Sequence, residues 1–459
     1  MKHGMRNGAA LLAFLAFAAV SALTVSAQTL VGQDELRDSR PVYSPESATS
    51  GATMGLITAD TDRFLSALDF GALSAQNWFA YGGVDEKIKD GINFGFGTKI
   101  GANKKGYFGV AYSGNLINEV VGLFTNQSAA GFKMETVNNG TTTGPALVDA
   151  DGTPVSDGEY LSNHNLHFLL GGGVFAFKFG FAEYIKGNVT VNQTASELES
   201  SLQPSIELGL NAGGFKFALR GAADFHQFEK SVTTPTTQFN QVNFFEPSGG
   251  VTIGLNFSRS EKTLAELDII ADGIYRIYGF LGDMPEVSTR GAGTAVDVSG
   301  ILDLRTTGSL GFTYRTELNE QFTLGFNAKV GGGYDILSLS TEPSGGGTKI
   351  DSKYTSLTVT PDVSAAVTYS PWKDHFALHA GLGLQLFSID MITDDSGITP
   401  GGNPGDTITS TVVEVPTVRL GVGTTVNFTE NTALDLLIAT RNIADITNAK
   451  FTMLFSVKK

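Results

Sequence analysis

From about residue 90 to its end the chain alternates apolar and polar residues in run after run, the period of a β-strand and not of a helix. Phe175, Phe177, Phe179 and Phe181 lie on one face, with Lys178 and Gly180 on the other. Phe215, Phe217, Leu219 and Phe225 oppose Lys216, Arg220, Asp224 and His226. Ala265, Leu267, Ile269, Ala271 and Tyr275 oppose Glu266, Asp268, Asp272 and Arg276. The rule continues with Leu302, Leu304, Leu310 and Phe312 against Asp303, Arg305, Ser309 and Arg315, and with Phe322, Leu324, Phe326, Ala328 and Val330 against Thr323, Asn327 and Lys329. Val363, Ala365, Val367 and Tyr369 oppose Asp362 and Ser364, Val418, Leu420 and Val422 oppose Arg419, and Phe451, Met453, Phe455 and Val457 close the chain.

A soluble sandwich alternates too, but three features point to a membrane barrel. The apolar face carries essentially no charge at its central positions while the polar face carries both signs, as when the outside meets lipid and the inside water. The runs suit tilted spans of about nine to eleven residues, against about five or six in ordinary sheets. The connections also alternate between short and long. Tight turns fall at Ala102 to Lys105, Gly171 to Gly173, Gly213 and Gly214, Arg259 to Lys262, Asn319 and Glu320, Pro371 to Asp374, and Thr429 to Thr432. Long polar connections run from Leu116 to Tyr160, Gly187 to Ser201, Glu229 to Asn243, Leu281 to Gly300, Thr341 to Asp351, Thr393 to Ser410 and Asn442 to Ala449. Short periplasmic turns with longer external loops are the outer-membrane pattern.

The expected fold is therefore all-β: a transmembrane antiparallel up-and-down β-barrel over residues 76–459. It would have about sixteen strands if the first lies near Trp78 to Tyr81, and about fourteen as the alternative, with both termini periplasmic. Trp78, Tyr81, Tyr107, Tyr112, Tyr184, Tyr275, Tyr314, Tyr369 and Trp372, near strand ends, suit an interfacial girdle.

The start of the chain fixes the compartment. Lys2 and Arg6, the apolar run Ala9 to Val20 and the small residues Val25, Ser26 and Ala27 form a signal peptide over residues 1–27, leaving a mature chain from Gln28. Residues 28–75 do not alternate, and Phe64, Leu65, Leu68 and Phe70 approach helical spacing behind a candidate cap at Asp60 or Thr61. This segment reads either as a periplasmic leader or as a small lumenal plug. No later stretch of about eighteen apolar residues could form a membrane helix, so a closed barrel is the route into a membrane.

The net charge of -15 becomes -17 once Lys2 and Arg6 are removed, which disfavours nucleic acid as a partner. The chain has no cysteine, so disulfides and thiolate metal sites are excluded. The alternating faces, the signal peptide and a last strand carrying Phe451, Phe455 and Val457 resemble the bacterial outer-membrane barrels of the general porin type, over roughly Trp78 to Lys459. The resemblance implies the cell outer membrane as location, outer-membrane lipid and the outer-membrane assembly machinery as partners, and an oligomer as an open option. The ending Val457-Lys458-Lys459 departs from the terminal aromatic such barrels often carry.

The inward faces are expected to line a pore with Lys99, Lys178, Lys216, Arg220, Arg276, Arg305, Arg315, Lys329 and Arg419, and with Glu207, Asp224, Glu266, Asp268, Asp272, Asp303, Asp362 and Asp435. Facing rows of opposite charge give a polar path of weak selectivity; the alternative is that they pair across strands and satisfy a polar interior. No cofactor, metal or enzymatic constellation emerges. His164 and His167 lack a positioned partner, and His375 and His379 stand about 13 Å apart on a strand, too far for one metal ion. Asp149, Asp151 and Asp157 form an incomplete calcium series.

Passive diffusion of small hydrophilic solutes is the first functional expectation, since a barrel of this size leaves an aqueous lumen unless something fills it. The Leu116 to Tyr160 loop, with Val120, Val121, Leu123 and Phe124 at its start, would fold inward as a constriction. The second is a transporter for hydrophobic compounds with residues 28–70 as a hatch. Its mark would be an apolar pocket in the lumen, which the charged inward residues argue against. The third is a surface adhesin or structural outer-membrane protein.

Overall fold

The structure, a computed structural model, describes residues 52–54, 56–57, 63–64 and 66–67, and residues 77–459 apart from 86–91, 102–105, 116–131, 139–142, 150, 191–194, 233–237, 259–261, 279–295, 344–349, 373–374, 395–407, 415, 441–442 and 444–448. The expected signal peptide, residues 1–27, lies outside the described residues.

Alternation of side chains across a pleat turns the sequence pattern into strands with one apolar face. In chain order these are β1 (Trp78–Asp85), β2 (Ile92–Ile100), β3 (Gly106–Gly114), β4 (Lys133–Asn138), β5 (Thr143–Val148), β6 (Gly158–Gly172), β7 (Phe175–Val189), β8 (Ala195–Asn211), β9 (Phe215–Val232) and β10 (Gln238–Asn256). There follow β11 (Thr263–Tyr278), β12 (Val296–Glu317), β13 (Phe322–Pro343), β14 (Ile350–Trp372), β15 (Phe376–Gln385), β16 (Ser388–Asp394), β17 (Ile408–Glu414), β18 (Thr417–Thr429), β19 (Thr432–Thr440) and β20 (Lys450–Lys458).

Each strand of the wall pairs antiparallel with its sequence neighbour, and β1 pairs with both β2 and β20, placing Phe79 opposite Lys458 and Asp85 opposite Thr452. The sheet thus closes into a barrel of 16 strands, because β15 with β16, and β17 with β18, each make one continuous stave. The first stave is present, so sixteen and not fourteen is the count. The break between β15 and β16 lies where the Leu386 amide donates to the carbonyl of Pro361, a residue with no amide hydrogen to return.

Polarity is inverted relative to a soluble protein. Phe96, Phe179, Ile206, Leu219, Phe326, Leu382, Val422 and Phe455 are exposed on the outside. Asn93, Asn165, Asp224, Glu246, Arg276, Asp335, Ser364, His379 and Asp435 are buried within. That arrangement is stable only where the outer solvent is hydrocarbon. Tyr81 and Tyr107 depart from the expected girdle: both are buried in the barrel interior. Trp372, at 65% exposure, and Tyr314 do face outward.

The wall has two heights. β19, β20, β1, β2 and β3 run eight or nine residues, about enough to cross the hydrocarbon layer. β12, β13 and β14 run 22, 22 and 23 residues. The connections expected at Gly187 to Ser201 and Glu229 to Asn243 accordingly shrink to residues 190–194 and 233–237, and those at Thr341 to Asp351 and Thr393 to Ser410 are shortened too. Beyond the membrane the outer face need not be apolar, so alternation fades while the hydrogen-bonded ladder continues. Among the described residues, residues 158–162 of β6 pair only with β7 and β17 pairs only with β16, so the raised wall is an open curved sheet.

The long loop after β3 also departs from expectation. Its hairpin, β4 with β5, packs against the outer face of the raised wall: Phe132, Leu147, Val155 and Val189 are buried with Tyr160, Ile185 and Leu198 around them. Tyr160, Gly187 and Leu198 stand opposite one another across three strands, on the face that carries Phe168, Phe179 and Ile206. A Cβ at Gly187 would meet Phe132 at 2.8 Å and Leu147 at 2.9 Å. The described part of this loop therefore does not constrict the lumen. Above the bilayer it covers apolar side chains that lipid no longer reaches.

Candidate functional site: the barrel lumen

All the charged residues expected inside share the register of the inner face, and most meet a partner. Lys178 pairs with Glu207 at 3.8 Å, Lys216 with Glu266 at 2.9 Å and Arg220 with Asp272 at 2.8 Å. Arg276 lies 3.8 Å from Asp303 and 2.7 Å from Glu246, Arg305 lies 3.2 Å from Asp335, and Arg419 contacts Asp362. Asp224 accepts hydrogen bonds from Ser201 at 2.6 Å and Gln203 at 3.1 Å, and Asp435 accepts one from Thr425. Lys329 stands opposite Asp362, Arg315 opposite Gly325 and Lys99 opposite Tyr107.

Several pairs reach over a strand that lies between their own two. Gly254 of β10 separates Lys216 from Glu266 and Asp268; a Cβ there would lie 3.2 Å from the Lys216 Cβ, 3.1 Å from Glu266 Oε1 and 3.0 Å from Asp268 Oδ1. Gly250 separates Arg220 from Asp272 in the same way, and Gly383 of β15 leaves room for the Arg419 guanidinium to reach Asp362. Part of the glycine enrichment thus keeps the inner surface flat where charges must meet.

Sequence reasoning missed Glu246 and Asp335. Glu246 follows a stretch read as loop, and Asp335 follows Gly331 to Gly333, a run that hides the alternation. Their even spacing from Ser248 and Lys329 was the available signal. The histidines are separated: His164 meets the Tyr112 hydroxyl at 2.7 Å on the outer face, whereas His379 lies inside between Thr368 and Thr425. Asp149 accepts the amides of Asp151 and Thr153 in a local turn, and the described residues hold no metal-binding cluster.

The wall formed by β20, β1, β2, β3, β6 and β7 is different in kind. Phe79, Tyr81, Tyr107, Ala111, Leu169, Ala176 and Leu454 turn inward and bury Phe64 and Ala67 of the N-terminal segment. Phe64 is fully buried, 5.6 Å from the Phe79 ring and 5.9 Å, edge-on, from Tyr81. Gly97 of β2 makes the space, since a Cβ there would lie 2.5 Å from the Phe64 ring. The same segment reaches other staves: Leu56 lies over Gly325 of β13, where a Cβ would come within 2.9 Å, and Ala52 covers Gly381 of β15 and packs on Leu437 of β19. The described N-terminal residues therefore follow a chord across the barrel interior.

No family model matches the chain, nor does any curated protein sequence. Solved structures similar to it include the toluene transporter TbuX of Ralstonia pickettii, with 10% identity and a TM-score of 0.38 over 90% of this chain and 98% of that one. The toluene transporter TodX of Pseudomonas putida gives 11%, 0.39, 91% and 99%, and the alcaligin outer membrane receptor FauA of Bordetella pertussis 6%, 0.32, 83% and 75%. Likenesses this distant carry no function across. The closure of β1 on β20, with apolar side chains outside and polar ones within, makes the chain a β-barrel of the bacterial outer membrane.

Proposed function

We propose that this barrel is a plugged outer-membrane transporter for hydrophobic compounds, with the N-terminal segment as its hatch. The observation that carries this reading is Phe64, seated without exposure in a pocket of lumenal aromatic and aliphatic side chains. An apolar site inside an otherwise polar lumen binds what water rejects, and burying an aromatic ring there is favourable by about 2–3 kcal/mol. The occupant belongs to a short segment, so a solute competing for the same surface would weaken its hold. The paired charges of the remaining wall favour an ungated hydrophilic pore less, because little free charge is left to attract ions.

Because the chain has no cysteine, a single engineered pair tests the hatch. Leu56→Cys with Gly325→Cys should cross-link on oxidation, giving a shifted band on a denaturing gel. Cells carrying the oxidised variant should lose uptake of a labelled apolar tracer and regain it on reduction. The native protein should be silent in planar bilayers, and the variant lacking residues 28–70 should conduct in stable ohmic steps. Ohmic steps from the native protein, or undiminished tracer uptake in the cross-linked one, would favour the open hydrophilic pore instead.

A further inference from the structure

Two polar atoms next to the Phe64 pocket are left without hydrogen-bond partners among the described residues: the Tyr81 hydroxyl and the Ser113 hydroxyl. Tyr81 and Ser113 are themselves buried, at 4% and 2% exposure. The pairing register places them together. Tyr81, Gly95, Ala111 and His167 form one lumenal row across β1, β2, β3 and β6, and Asn93, Ser113 and Asn165 form the next. Gly95 and Ala111 leave the row open, and the Tyr81 ring lies across Gly95 with its hydroxyl 3.0 Å from where a Cβ would stand. Leaving a buried donor or acceptor unsatisfied costs about 1–3 kcal/mol each, so two beside an apolar pocket describe a site short of its ligand.

We infer that this wall is a binding site for an apolar compound bearing one neutral group that both donates and accepts a hydrogen bond, such as a hydroxyl or an amide. This rests on the hatch reading above. The apolar body takes the place of the Phe64 ring against Phe79, Tyr81 and Leu169. The polar group meets Tyr81 and Ser113. A carboxylate is excluded by its desolvation, which a buried site offsets only with a dedicated cation. Lys178, on the next strand, is already paired with Glu207 at 3.8 Å. Lys99 sits four residues beyond Gly95, about 13 Å along the strand, and Arg63 precedes Phe64 on the segment that moves.

Calorimetric titration of the detergent-solubilised mature protein, against a micelle blank, with 4-ethylphenol, ethylbenzene and 4-ethylbenzoate at neutral pH tests this. The phenol should bind at least about tenfold more tightly than either of the others, one or two net hydrogen bonds. Tyr81→Phe, or Ser113→Ala as a second variant, should weaken the phenol about two- to tenfold and leave ethylbenzene unchanged. Phe64→Ala should tighten both. Equal affinities for phenol and ethylbenzene with a silent Tyr81→Phe, or a benzoate that binds as well as the phenol, would overturn the inference and leave the transporter reading standing. No binding of any of the three to native protein or Phe64→Ala would remove both.

Discussion

Arg276 and Arg220 are both lumenal arginines facing carboxylates, yet their surroundings separate them. Arg276 and Glu246 are each 5% exposed, with the guanidinium 4.1 Å above the Phe244 ring, whereas Arg220 and Asp272 are 36% and 37% exposed. Removing one partner of a buried pair strands an uncompensated charge and costs about 3–5 kcal/mol, while a solvated pair is worth at most about 1 kcal/mol. Arg276→Met should therefore lower the stability of the refolded protein several times more than Arg220→Met, read from urea unfolding in a bilayer. Equal losses would mean that water reaches both sites alike. The alternating pattern places either arginine on the inner face. It does not reveal that Glu246 and Asp303 converge on Arg276, because that depends on the register in which β10, β11 and β12 pair.

At the scale of elements, the β4–β5 hairpin and the raised wall depend on each other. Tyr160, Ile185, Val189 and Leu198 continue the outer apolar face past the height of the short staves, and the hairpin with Phe132 and Val155 covers them. Replacing residues 132–155 with a short Gly/Ser linker should expose that patch and make the detergent-solubilised protein self-associate, visible as a higher mass by light scattering. Its bilayer conductance should match that of the native protein. A rise in conductance would instead place the hairpin in the permeation path, where the loop's length and apolar start had suggested it. Length shows that a loop has enough chain to enter the lumen, but which face of the wall offers it apolar partners is decided by the register of β6, β7 and β8.

On the scale of the whole molecule, the lumen divides into a charged sector and an apolar one. From β7 to β18 most charges are matched across strands, and from β20 through β3 to β6 the wall is, apart from Lys99, mainly aromatic, small or amide-bearing. With residues 28–70 removed, the open barrel should therefore be poorly selective, its reversal potential in a tenfold salt gradient staying close to zero, because paired charges present little net field to a passing ion. A strongly shifted potential would mean that one sign dominates the path in spite of the pairing.

The sequence by itself determined the barrel. Clean period-two alternation with an uncharged apolar face, alternating connection lengths and a first strand at Trp78 led to the membrane and to a barrel of about sixteen staves, with fourteen as the alternative, since these follow from local pattern and backbone hydrogen bonding. It also put the lumenal charges on their proper face, because parity along a strand is a local property. Tertiary structure alone decided what fills the interior and how high the wall stands. Phe64 reads only as part of a weakly helical stretch, and Leu56 as part of a segment without alternation, until Gly97 and Gly325, more than thirty and two hundred and sixty residues on respectively, are seen to hollow out their seats. Tyr81 and Tyr107 look like interfacial aromatics for the same reason: strand-end position is visible in one dimension, but whether a ring faces lipid or lumen depends on the register that closes the barrel.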